Sequence, residues 1–226
     1  VDRFPSKEYE HLVQTHWLET LSGQRAIGVV RASKFTLGME MAKAIAQGGM
    51  KLIEIAWNSD QAPTLVTQLR QVLPECQIGV GTILSVDQLY AAIQAGAQFC
   101  FSPHVDANLI KAALAENIAV VPGALSPTEI VTAWQAGASS VKVFPVERLG
   151  GSQYIRSLQG PLGHIPMIPT GGVSLDNAEA MIKAGAIAVG LSSNLFPTPA
   201  LKAGNWPEIS RRVELLLTRL QAASAH

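Results

Sequence analysis

The segment Gln135-Ala-Gly-Ala-Ser-Ser-Val-Lys-Val-Phe-Pro145 ends a helical pattern on a glycine turn and runs at once into a short β-branched strand. The same passage recurs at Gln47–Trp57, Gln94–Pro103, Glu116–Gly123 and Lys183–Leu191, so the chain repeats one strand–helix unit. Apolar runs predict strands over Ala26–Arg31, Leu52–Trp57, Gln77–Thr82, Gln98–Ser102, Ala119–Pro122, Ser140–Phe144, Met167–Thr170 and Ala186–Gly190. Between them, helical spacing marks Met39–Ala46, Ala62–Val72, Val86–Ala95, Ala107–Ala115, Thr128–Ala136 and Asp176–Ala184. A count of about eight is the number at which a parallel α/β sheet closes on itself, which predicts an α/β fold, a single (β/α)8 TIM barrel. An open doubly wound sheet is the competing architecture, weakened because no GxGxxG turn follows the first strand. Pro5–Ser22 and Pro207–Ala223 read as extra helices, the first over the barrel bottom. The expected organisation is one barrel domain over 1–226 with a capping helix within 1–24.

Length and composition agree with this. The 226 residues suit one barrel, 48% are hydrophobic, and 17 basic residues balance 17 acidic ones. With no charged run, a nucleic-acid or membrane surface is not expected, and a small-molecule substrate is. No apolar stretch reaches the roughly 18 residues of a membrane span, and no signal-peptide pattern stands at the start, so a cytoplasmic protein is expected. Two cysteines, Cys76 and Cys100, are too few for a disulfide framework, and the histidines lack metal-ligand spacing. No metal and no cofactor are expected.

Within the quoted segment, Lys142 stands between Val141, Val143 and Phe144. An amine in an apolar strand must be paired or give up its proton more readily than in water, and a neutral amine attacks carbonyls to form Schiff bases. The alternative is a strand-end lysine reaching solvent. In barrels the chemistry gathers where strands end, and the polar residues there are Arg31, Glu54, Asn58, Thr82, Lys142 and Thr170. Glu54 is either an acid/base partner of that amine or its structural counter-ion. Thr170-Gly171-Gly172-Val173-Ser174 and Gly190-Leu191-Ser192-Ser193-Asn194 read as turns entering helices, where backbone N–H groups bind phosphate, or else as tight strand-to-helix turns with no ligand.

The segments Ile53–Ser59, Gly79–Leu84, Phe101–His104, Val121–Glu129, Val141–Pro145, Pro169–Ser174 and Val189–Phe196, in this order, resemble the bacterial 2-keto-3-deoxy-6-phosphogluconate (KDPG) and 4-hydroxy-2-oxoglutarate (KHG) aldolases. The resemblance implies a (β/α)8 class I aldolase, a homotrimer, that cleaves a 2-oxo acid to pyruvate and glyceraldehyde 3-phosphate or glyoxylate. A side activity on oxaloacetate is also expected. It assigns the Schiff base to Lys142, proton transfer to Glu54, and substrate contacts to Thr82 and Pro103. Phe144, which shares a strand face with Lys142, joins the same set. Where phosphogluconate-type members carry an arginine, this chain has Asn58. Arg31 takes over the substrate carboxylate, as in the similar 2-keto-3-deoxy-6-phosphogalactonate aldolases. A non-covalent phosphosugar isomerase or a 2-oxo acid binding barrel is the alternative.

Overall fold

The computed structural model describes residues 7–223, along which strands and helices alternate. After helix α1 (Lys7–Gln24) come β1 (Ala26–Val30), α2 (Phe35–Gln47), β2 (Leu52–Ala56), α3 (Ala62–Val72), β3 (Gln77–Gly81), α4 (Val86–Gln94), β4 (Phe99–Phe101) and α5 (Ala107–Ala115). The second half holds β5 (Ala119–Val121), β6 (Gly123–Ala124), α6 (Pro127–Gln135), β7 (Val141–Val143), α7 (Ser152–Leu162), β8 (Met167–Pro169), α8 (Ala178–Lys183), β9 (Val189–Leu191), α9 (Thr198–Ala203) and α10 (Trp206–Ala223). Residues 1–6 and 224–226, which the expected capping segment and the expected 1–226 domain include, lie outside the described residues.

All strand pairs are parallel, in the orders β5-β4-β3-β2-β1-β9 and β6-β7-β8. Two joints close these arcs into a barrel. β5 and β6 are one strand interrupted at Pro122, which has no N–H to give, although its carbonyl accepts from the Lys142 amide at 2.9 Å. On the other side Thr170 bridges to Gly190, and the Ile187 amide donates to Met167 O at 3.1 Å. The expected barrel of eight strand positions is therefore the one observed.

Period-two alternation sorts each strand into an outward face packed on helices and an inward face. Ile53, Ile55 and Val80 join Leu65 and Leu69 of α3 in the outer core. Inside, Ile27, Leu52, Phe99, Phe101, Val121 and Ile168 fill the barrel's lower layers, and α1 closes them from below with Trp17 and Leu21. Trp17 is 3% exposed, stacks 5.2 Å from Phe99 and 6.3 Å from Phe101, and donates its indole N–H to Ser140 Oγ at 3.0 Å. Glycines make room for the larger inward side chains. A Cβ on Gly79 would overlap the Phe99 ring, and one on Gly81 would overlap the Glu54 carboxyl.

Three elements differ from expectation. α2 begins at Phe35 rather than Met39 because Asp60, far along the chain, accepts the Phe35 amide at 2.9 Å. No local side chain caps that end. α7 was not among the expected helices. Pro161 falls in its last turn, where it gives up one N–H of the helix, while Ile155, Leu158 and Leu162 bury one face. α9 was likewise unread, a six-residue helix with Ala200 as its buried residue.

Candidate active site

Above the filled layers, at the C-terminal ends of the strands, a cavity of about 330 Å³ opens. Of the residues singled out in the sequence, all but Asn58 line it. Glu54, Lys142 and Thr170 form the buried floor, at 2%, 8% and 8% exposure. Arg31 and Thr82, each one residue past its strand, stand on the β1–β3 side, and Pro103 and Phe144 border the same space. Gly171, Gly172, Ser192 and Ser193 complete the rim from the loops after β8 and β9.

Lys142 and Glu54 meet because both point inward from strands across the barrel. Lys142 Nζ lies 4.9 Å from the centroid of the Phe144 ring and 5.8 Å from that of Phe101. Burial raises the Glu54 carboxyl above its usual range, with attraction to Lys142 and then Arg31 opposing. Ion pairs among the described residues join Lys43–Glu40, Lys183–Glu179 and Arg211–Glu208, and none joins Glu54 to Lys142. A purely structural counter-ion would close on its partner. Here the amine and the carboxyl face one cavity with space left between them.

Thr82 holds a left-handed backbone at φ +61°, which a β-branched residue rarely adopts, and its Oγ1 accepts from Arg31 Nη2 at 3.3 Å. The pair presents a guanidinium and a hydroxyl together. Asn58 sits in the turn after β2, exposed and outside the cavity lining, so the cationic group on this side is Arg31. Cys100, fully buried next to Glu54, has its thiol pushed up to about 12 by burial and by the Glu54 charge, and serves packing.

The glycine and serine loops require a correction. They were read as helix starts, yet α8 begins at Ala178 and α9 at Thr198, several residues beyond them. Gly171 and Gly172 instead adopt φ +86° and +87° in an open loop. The amides of Gly171, Gly172, Ser192 and Ser193 donate to no acceptor among the described residues. These amides are left available to an anion by open loops rather than by a helix end. Val173, Gly190 and Asn194, which belong to the two quoted glycine and serine segments, also line the cavity, as does Val29, which was not singled out. Val29 was legible from its period with Arg31. Among the described residues, no three His, Cys, Asp or Glu gather as a metal site, and no helix is long and apolar enough to cross a membrane.

A family model described as KDPG and KHG aldolase matches residues 18–212, which spans the barrel and every residue of the cavity. The chain belongs to the KDPG and KHG aldolase family. It is thus an aldolase, a carbon–carbon lyase. Within the family, it is 32% identical to the 2-dehydro-3-deoxy-phosphogluconate aldolase of Treponema pallidum, over 85% of this chain and 91% of that one. The solved structure of native KDPGal superposes with a TM-score of 0.80 at 26% identity, covering 89% of this chain and 96% of its own. A KDPG aldolase from Legionella pneumophila, holding pyruvate as a covalent carbinolamine, superposes at 0.81 with 25% identity, covering 88% and 97%. KDPG and KHG aldolases and the galactonate branch thus both stand among its neighbours, as the sequence motifs implied.

Proposed function

We propose that this chain is a class I aldolase that cleaves a 2-keto-3-deoxy-6-phospho sugar acid to pyruvate and glyceraldehyde 3-phosphate. The observation that carries this reading is the buried amine of Lys142 facing Glu54 across one cavity without an ion pair. The substrate carboxylate docks on Arg31 and Thr82, which brings its C2 carbonyl to Lys142. The amine adds to C2 and forms a carbinolamine, which loses water to give the iminium. Glu54 supplies and removes the protons of these steps, a role suited to a carboxyl whose pKa burial has raised. It then takes the C4 hydroxyl proton as the C3–C4 bond breaks. The bonding pair flows into the iminium, giving an enamine and a free aldehyde, and protonation at C3 with hydrolysis releases pyruvate and restores the amine. Because loss of carbon dioxide from oxaloacetate reaches the same enamine, a side activity on oxaloacetate is expected.

The free amides at Gly171, Gly172, Ser192 and Ser193 suit the phosphate of the aldehyde half, with Thr170 below them. The reading includes a homotrimer working in the cytoplasm without cofactor, metal or nucleic acid, which sedimentation of the purified chain checks for the assembly. Substrate class is tested by kcat/KM on the phosphorylated sugar acid against 4-hydroxy-2-oxoglutarate, whose cleavage gives glyoxylate. A clear preference for the phosphorylated acid is expected, and equal values would remove the phosphate site from the account.

A further inference from the structure

Four successive carbonyls of the loop after β8 are in use. Thr170 and Gly171 accept from the amides of Val146 and Glu147 at 2.9 and 3.1 Å. Gly172 accepts from Asn177 Nδ2 at 3.1 Å, and Val173 from Asn194 Nδ2 at 2.9 Å. Because a peptide unit is planar and trans, fixing one carbonyl aims the next residue's N–H the opposite way. The Thr170, Gly171 and Gly172 carbonyls therefore set the direction of the Gly171, Gly172 and Val173 amides, while the Val173 carbonyl anchors the end of the loop, where the Ser174 amide donates to Asn177 Oδ1 at 2.8 Å. Asn194 is the joint between this loop and the one after β9. Its side chain holds Val173, and its own carbonyl accepts from Arg212 Nη2 on α10 at 3.0 Å.

Arg212 does not line the cavity, and its Nε is buried without a protein partner. Among the described residues, the hydrogen bond to Asn194 is the one its side chain makes. A guanidinium buried in part, with a donor left unmatched, is a costly way to hold one loop carbonyl unless the placement of that loop matters. We infer that Arg212 is a positioning residue which, through Asn194 and Val173, sets the spacing of the two rows of loop amides. That spacing decides the preference for a phosphorylated aldehyde half. The inference rests on the phosphate reading given above.

The test compares kcat and KM of the wild-type chain, Arg212→Ala and Arg212→Lys on the phosphorylated sugar acid and on 4-hydroxy-2-oxoglutarate, with inorganic phosphate as a competing probe. Loss of a charge-assisted hydrogen bond in Arg212→Ala is expected to raise KM for the phosphorylated acid about ten-fold and weaken phosphate inhibition to match. At the same time kcat stays within about two-fold, and KM for 4-hydroxy-2-oxoglutarate and pyruvate trapping on Lys142 do not move. Arg212→Lys keeps the charge and loses the planar donor, so it should follow the alanine variant and serves alone should Arg212→Ala not fold. Unchanged KM, or equal losses on both substrates, would overturn the inference. So would a lysine variant that behaves as wild type, since charge alone would then account for the effect. If the wild-type chain shows no preference between substrates and no inhibition by phosphate, the phosphate reading itself fails and the inference with it, a result visible without any variant.

Discussion

Replacing Gly81 by alanine should disable the enzyme by moving Glu54 while leaving Lys142 untouched. A Cβ on Gly81 would stand 2.9 Å from Glu54 Cγ, with the carboxyl nearer still. Carbon atoms settle at about 3.5–4.0 Å, so Cγ must retreat by roughly 0.6 Å and the carboxyl by about an ångström or more. Glu54 is 2% exposed, and the free space open to it is the cavity where substrate must sit. A displacement of about 1 Å at a reacting group is worth about 100-fold in rate, or about 2.7 kcal/mol of transition-state stabilisation. Overpacking adds about 1–3 kcal/mol of lost stability, which a melting curve reads separately. Cleavage followed through pyruvate release should therefore show kcat/KM down about 100-fold, with pyruvate still trapped by borohydride on Lys142. Because the effect runs through Glu54, Gly81→Ala combined with Glu54→Gln should be no slower than Glu54→Gln alone. Retention of kcat/KM within about three-fold, or full additivity in the double variant, would refute the argument.

Glu54→Gln itself should slow cleavage by about 10²- to 10⁴-fold, measured as kcat, and a smaller loss would demote Glu54 to a structural role. The same variant should be more heat-stable than the parent. The folded chain holds the Glu54 proton more tightly than the unfolded one, so ionisation removes stability as pH rises from the unfolded value through the raised folded one. The gain in Tm should therefore be present above that window and absent below about pH 4, and a gain that grows toward acid would contradict the stated sign. Trp17→Ala should lose about 3–5 kcal/mol by denaturant titration, because it removes both a buried ring and the bond to Ser140, whereas a loss under about 1 kcal/mol would mean α1 does not help hold the barrel. Ser126→Ala should cost about 1 kcal/mol in the same titration, since Ser126 and Glu129 form a reciprocal capping box at the start of α6.

The site was legible where chemistry breaks a local pattern. Lys142, Glu54 and Thr170 are polar residues inside apolar strands, and a period of two with the barrel rule is enough to bring them to one mouth. Gly-turn signatures marked the strand starts for the same reason, since a left-handed backbone at positions such as Gly137, φ +101°, is a local requirement. What escaped the sequence depends on distant partners. Asp60 starts α2 at Phe35 from 25 positions away, and Asn194 ties two loops that only the closed barrel makes neighbours. The Gly171-Gly172 loop was read as a helix start because a glycine pair before an amphipathic stretch looks the same in either case. The observed helix begins only at Ala178, and the bonds that hold the loop open come from Val146 and Glu147 in another segment and from Asn177 at the loop's own far end. Arg31 lay between these extremes, since its place after β1 was readable, while its bond to Thr82 depends on the unusual backbone at φ +61°.

Borohydride reduction in the presence of pyruvate, followed by intact mass and peptide mapping, tests the covalent role of Lys142 most directly. The account predicts one reduced pyruvate adduct per chain, mapped to Lys142 and absent in Lys142→Ala. A folded chain that forms no adduct, or forms it on another lysine while turning over substrate, would contradict it.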